Sequence, residues 1–220
     1  MLSLIFFPLI IFCVFNLIFI QRFTRATGLS IVPTQLILYV LAGAVLTLAV
    51  YLLLLLLDTI LGNTMLGSWY ESFKVFSSPI LEDLLKISLL SFLCSKVHVS
   101  PEQRYMHRQQ ILAGILLGLS FGLFETYLQS FVLSEFGSAL LGSIPLQMVI
   151  GGAFGAILSR PLPSRRILRF LIILGHLIYN QMLQLPGPLA VISLIVLTLA
   201  SFILIHLLGA QGNSRESENG

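Results

Sequence analysis

The chain has 220 residues, 57% of them hydrophobic and only 10% charged, with a formal net charge of +3 and a mean hydropathy of +0.99. Soluble domains carry about 25% charged residues, so a water-facing surface over most of this chain is excluded and lipid is the expected solvent. Nucleic-acid binding is excluded too, because the basic residues behind the pI of about 9.1 sit in short stretches between apolar runs, where membrane topology accounts for them.

In chain order, apolar runs predict helices at about 2–21, 35–57, 78–97, 110–133, 138–158, 167–184 and 188–208. Each is close to the roughly 20 residues that cross a hydrocarbon core. The runs are continuous and do not alternate, which selects helices over a barrel. The expected fold is all-α: a polytopic transmembrane bundle of about seven helices forming one domain over residues 1–210. The first run lacks a basic leading segment and a small-residue cleavage site, so it reads as a span rather than a secretion signal. Residues 58–77 form the longest connection. Trp69, Tyr70, Phe73 and Phe76 among its polar residues predict a short interfacial helix or a loop. Cys13 and Cys94 fall within apolar runs and read as packing residues. The tail 211–220 is polar and expected to be disordered.

The basic residues set the expected orientation. Arg22 and Arg25 follow the first run, and Lys96, Arg104 and Arg108 follow the third. Arg160, Arg165, Arg166 and Arg169 follow the fifth, Arg215 lies in the tail, and the alternate connections hold only Lys74. The positive-inside rule then puts the N-terminus outside and the C-terminus in the cytoplasm, as in a multi-pass protein of the cell membrane.

An ionisable group in hydrocarbon costs at least about 2.5 kcal/mol, so each one here needs a reason. The third run carries Glu82, Asp83 and Lys86 near its start, the fourth Glu125, the fifth Gln147, and the sixth His176 and Asn180. At about 1.5 Å per residue these groups fall roughly 6–13 Å from the outer ends of their helices, in one layer of the membrane. Glu82 and Lys86, Phe121 and Glu125, and His176 and Asn180 are four residues apart, so each pair shares a helix face. Gly114, Gly118 and Gly122 allow close approach of a neighbouring helix on the side that carries Glu125, and Gly151 and Gly155 suggest a second tight contact. Taken singly, Glu82 with Lys86 reads equally as an intrahelical ion pair, His176 as a packing residue and Gln147 as a structural hydrogen-bonder. Their agreement in depth is what favours a site.

The chemistry such a layer permits is hydrolysis. Glu82 with Asp83, or Glu125, can act as general base toward water. His176 and Asn180 can stabilise the oxyanion of a tetrahedral intermediate. Lys86 can hold a carboxylate ionised or simply pair with it. A divalent metal such as zinc on Glu82, Glu125 and His176 is the competing arrangement, although zinc sites are commonly richer in histidine and the chain has no H-E-x-x-H motif. No cofactor is otherwise expected.

The motifs Glu82–Lys86 (EDLLK), Phe121–Glu125 (FGLFE) and His176–Asn180 (HLIYN) resemble, in that order, the E-E-x-x-K, F-x-x-x-E and H-x-x-x-D/N motifs of the PrsW family of intramembrane proteases, relatives of the CAAX prenyl proteases. The resemblance covers about residues 78–185. It implies an active site of Glu82, Asp83, Glu125, His176 and Asn180 in which the first glutamate activates the attacking water, with Lys86, Phe121 and Gln147 in support. It also implies a membrane-anchored protein or peptide as substrate. Asp83 stands where the family has a second glutamate, and Gln147 where it often has histidine; a glutamine carries no proton near neutral pH. Two other functions fit buried polar residues in spans: a non-catalytic scaffold of the same superfamily, like the γ-secretase scaffold subunit, and an ion-coupled transporter. The transporter lacks an inverted repeat to support it.

Overall fold

The computed structural model describes residues 33–61, 67–96, 103–133, 136–158 and 162–182, together with Gln21 and Arg160. The first predicted span apart from Gln21, the seventh span and the polar tail lie outside the described residues. The described residues are all-α, in five helices: α1 (Pro33–Leu61), α2 (Gly67–Lys96), α3 (Gln103–Leu133), α4 (Phe136–Leu158) and α5 (Leu162–Met182). Two stretches, Thr34–Leu61 and His107–Leu128, are long and apolar enough to cross a membrane.

The centre of the fold is an antiparallel pair, α3 and α4. Gly155 lies against Gln110, Gly151 against Gly114, Gly118 against Gln147 and Gly122 against Ile144. One number rises as the other falls, one helical turn at a time, which is an antiparallel register. A Cβ on Gly118 would stand on the carbonyl of Gln147, and one on Gly114 on the carbonyl of Gly151, so only glycine allows this approach. The glycines of the two runs, expected to make separate contacts, thus face each other in one. Ile115, Ile144, Met148 and Phe154 are fully buried around it.

Helix α1 lies on the other side of α3. Its buried residues, Tyr39, Gly43, Leu46, Thr47 and Val50, recur every three or four positions and make a single stripe. Ser120 Oγ donates to the Val40 carbonyl at 2.7 Å, and Thr47 Oγ1 reaches the Phe121 carbonyl at 3.3 Å. The rest of α1 exposes Ile37, Leu41, Val45, Leu48, Leu52 and Leu55.

Helix α2 departs from expectation. Residues 67–77, read from sequence as a loop or a separate interfacial helix, are the first turns of α2, and the connection shrinks to 62–66. Hydropathy marks where a helix is apolar, not where its backbone hydrogen bonds begin, so the 78–97 run began too late. Pro79 lies inside the helix, where it removes one amide donor without ending the element. Glu82 therefore sits about four turns into α2 rather than near its start. Helices α3 and α5 also start earlier than their apolar runs, and α5 carries Pro163 in its first turn, where the amide would have no helical partner. Arg165 closes the α4–α5 connection by donating to the carbonyls of Leu158 and Arg160, satisfying acceptors that a helix end leaves open.

Candidate active site

The buried stripe of α2 runs Pro79, Glu82, Asp83, Lys86, Ile87, Leu90, Leu93, at the spacing of one helix face. Its polar part faces the other helices, while Ile80, Leu84 and Phe92 point outward. Asp83 is 0% exposed, Lys86 1% and Glu82 6%, a distribution opposite to that of a water-soluble helix.

Lys86 is the hub. Its ammonium stands 3.5 Å from Glu82 Oε2 and 3.5 Å from Asp83 Oδ1, and donates to Gln147 Oε1 on α4. Three donors meet three acceptors, so the ammonium is saturated. Its open side rests on Phe121 of α3, 4.0 Å from the ring centroid. Gln147 passes the connection on, since its Nε2 donates to Glu125 Oε2 on α3 at 3.1 Å. The amide orientation is forced, because Lys86 can only donate and an ionised Glu125 can only accept.

Two further groups complete the network. Ser78 Oγ donates to Glu82 Oε1 at 2.9 Å, so Glu82 is held from both sides. His176 Nδ1 of α5 lies 3.0 Å from Asp83 Oδ2. An ionised Asp83 can only accept, so Nδ1 carries the proton and Nε2 of a neutral ring keeps its lone pair.

The structure thus joins Glu82, Asp83, Lys86, Glu125, Gln147 and His176, from four helices, through direct hydrogen bonds, with Phe121 as the wall beneath Lys86. Asn180 is half-buried and makes none of these bonds. Its expected place on the inward face of α5 is taken by Tyr179, 2% exposed and, with His176, the buried part of that helix. Ser78 and Tyr179 were not singled out from sequence. Their signals were spacing alone, four residues before Glu82 and three after His176, and a serine or a tyrosine in a span carries no charge to attract notice.

Among the described residues, no group of three or more His, Cys, Asp or Glu side chains is arranged to hold a metal ion. The donor set agrees, because the Lys86 ammonium already stands between the α2 carboxylates and His176 turns Nδ1 to Asp83. An apolar groove of about 320 Å³ lies between Phe76 of α2 and Leu174, Leu177 and Ile178 of α5. Comparison with protein-family models, curated proteins and solved structures finds no match to this chain.

Proposed function

We propose that this chain is a multi-pass membrane protein of about seven spans, N-terminus outside and C-terminus cytoplasmic, that hydrolyses peptide bonds of membrane-anchored proteins with a glutamate-activated water. The observation that carries the reading is the buried network that joins Glu82, Asp83, Lys86, Glu125, Gln147 and His176. A packed bundle gains little from such a network, because desolvating charges offsets their attraction. A site for polar chemistry gives it a purpose. The apolar outward faces of α1, α2 and α5 support a lipid surround.

In this reading Glu82, oriented by Ser78 and Lys86, takes a proton from water as the oxygen attacks the peptide carbonyl carbon. Asp83 fixes His176 in the tautomer whose Nε2 lone pair can accept a hydrogen bond from the attacking water and so orient it. Gln147 couples Glu125 to Lys86 and holds that second carboxylate in place. Lys86 supplies the counter-charge that a metal would otherwise provide, so no cofactor is needed. The apolar groove between Phe76 of α2 and Leu174 and Ile178 of α5 opens on the outward faces of those helices, the side from which a membrane-anchored segment would come. The likeness of Glu82–Lys86, Phe121–Glu125 and His176–Asn180 to the PrsW motifs supports the same reading.

The test is reconstitution in phosphatidylcholine vesicles with single-span reporter proteins. Cleavage is expected to fall about 10²-fold or more in Glu82→Gln and in Glu125→Gln, and to survive chelators. Cleavage untouched by both substitutions would exclude the mechanism. One observation favours a second reading, a non-catalytic scaffold: the residue bridging Lys86 and Glu125 is an amide that cannot carry a proton. That reading requires a stable partner on purification and no proteolysis.

A further inference from the structure

The network accounts for most of the polar atoms in the cluster, but not for the phenol of Tyr179. Its side chain is 2% exposed, and its hydroxyl is buried with no hydrogen-bond partner among the described residues. Leaving a buried hydroxyl unpaired is costly, and native structures rarely do so without a reason. Replacing tyrosine by phenylalanine would remove that cost at no loss of volume. Tyr179 is also well placed for chemistry. It lies one turn from His176 on the same inward face of α5, and the two are the buried residues of that helix.

The donors in the cluster are otherwise committed. Lys86 serves three acceptors, Ser78 serves Glu82, Gln147 serves Glu125, and His176 turns its Nδ1–H to Asp83. Asn180, expected together with His176 to stabilise the oxyanion, joins none of these bonds and is only half-buried. Thr126 Oγ1 is also buried without a partner, but Tyr179 O–H is the uncommitted donor on the face of α5 that carries His176, where a peptide carbonyl entering this site would find it.

Resting on the peptidase reading, we propose that the Tyr179 hydroxyl donates the hydrogen bond that holds the scissile carbonyl oxygen and stabilises it as an oxyanion. In the first step the water oxygen bonds to the carbonyl carbon and its proton goes to Glu82. The carbonyl π pair moves onto oxygen, which accepts from Tyr179. In the second step that pair re-forms the C=O bond, the C–N bond breaks, and the amine leaves with the proton returned by Glu82. Tyr179 keeps its own proton throughout.

The experiment measures reporter cleavage and thermal unfolding together for the wild type, Tyr179→Phe, Glu82→Gln and Tyr51→Phe, the last being an exposed tyrosine of α1 that serves as control. Tyr179→Phe is expected to lower kcat about 10²–10³-fold, the effect of losing one oxyanion donor, with KM little changed and a melting temperature equal to or above the wild type. Tyr51→Phe is expected to match the wild type in both. If Tyr179→Phe keeps kcat within twofold while Glu82→Gln is inactive, the inference falls and the peptidase reading stands. If Tyr179→Phe loses melting temperature along with activity, the hydroxyl is structural and the inference falls. If the wild type cleaves no reporter, both fall together.

Discussion

Helices α3 and α4 meet through absence: glycines stand where side chains would be, and backbone lies on backbone at Gly114, Gly118, Gly151 and Gly155. Helices α2 and α5 meet through an imidazole on a carboxylate, His176 on Asp83, with apolar side chains turned away from the polar cluster. The first contact needs no charge and gains from dispersion over a long, close seam. The second brings ionisable groups out of solvent, and its hydrogen bonds do little more than offset that cost. The difference separates a contact that holds the bundle together from one that adds little to its stability.

The largest test breaks the polar side. Lys86→Met leaves Glu82 and Asp83 buried without a cation, and a loss of about 3–5 kcal/mol is expected in thermal or denaturant unfolding in detergent. The triple variant Glu82→Gln, Asp83→Asn, Lys86→Met should recover most of that loss, because it removes the whole charged set. Equal damage in both would mean that Lys86 acts through its packing on Phe121 and not through its charge.

Breaking the glycine side comes next. Gly118→Val drives a side chain into the Gln147 backbone and should cost about 1–3 kcal/mol. It should also lower cleavage, because Gln147 carries the link from Lys86 to Glu125. Unchanged stability would show that α3 and α4 can separate at no cost, against the scaffold role.

Two smaller effects sharpen the contrast. Thr47→Ala removes a hydroxyl whose one proton is shared between the Gly43 carbonyl of its own helix at 2.8 Å and the Phe121 carbonyl at 3.3 Å, so less than the about 0.6 kcal/mol of a full interhelical bond is expected. Leu52→Ala, at a position 53% exposed on the outer face of α1, should change stability by less than about 0.5 kcal/mol. A larger effect at Leu52 would reveal a protein contact on a face assigned here to lipid.

Much of the site was legible in the chain because charge in an apolar run is conspicuous. Glu82, Asp83, Lys86, Glu125 and His176 each interrupt hydrophobic sequence, and fourfold spacing gave their faces. Ser78 and Tyr179 were missed because neutral hydroxyls are common in membrane helices and do not stand out. Asn180 and Tyr179 both follow from His176, since a spacing of four and a spacing of three define nearly the same face, and packing buries Tyr179 while leaving Asn180 half-buried. The start of α2 differs from the 78–97 run for a related reason: residues 67–77 are too polar to read as part of an apolar run, although the helix continues through them.

Composition and periodicity alone determined the helical class, the apolar outward surfaces and the residues whose burial would be costly, since these follow from local transfer energies and the 3.6-residue repeat. Tertiary structure alone decided that the glycines of α3 and α4 share a single seam, that Gln147 links a cation to a second carboxylate, and that His176 turns Nδ1 to Asp83. Those are relations between different helices, set by axial offset and rotation, and neither quantity is written in the residues of any one helix.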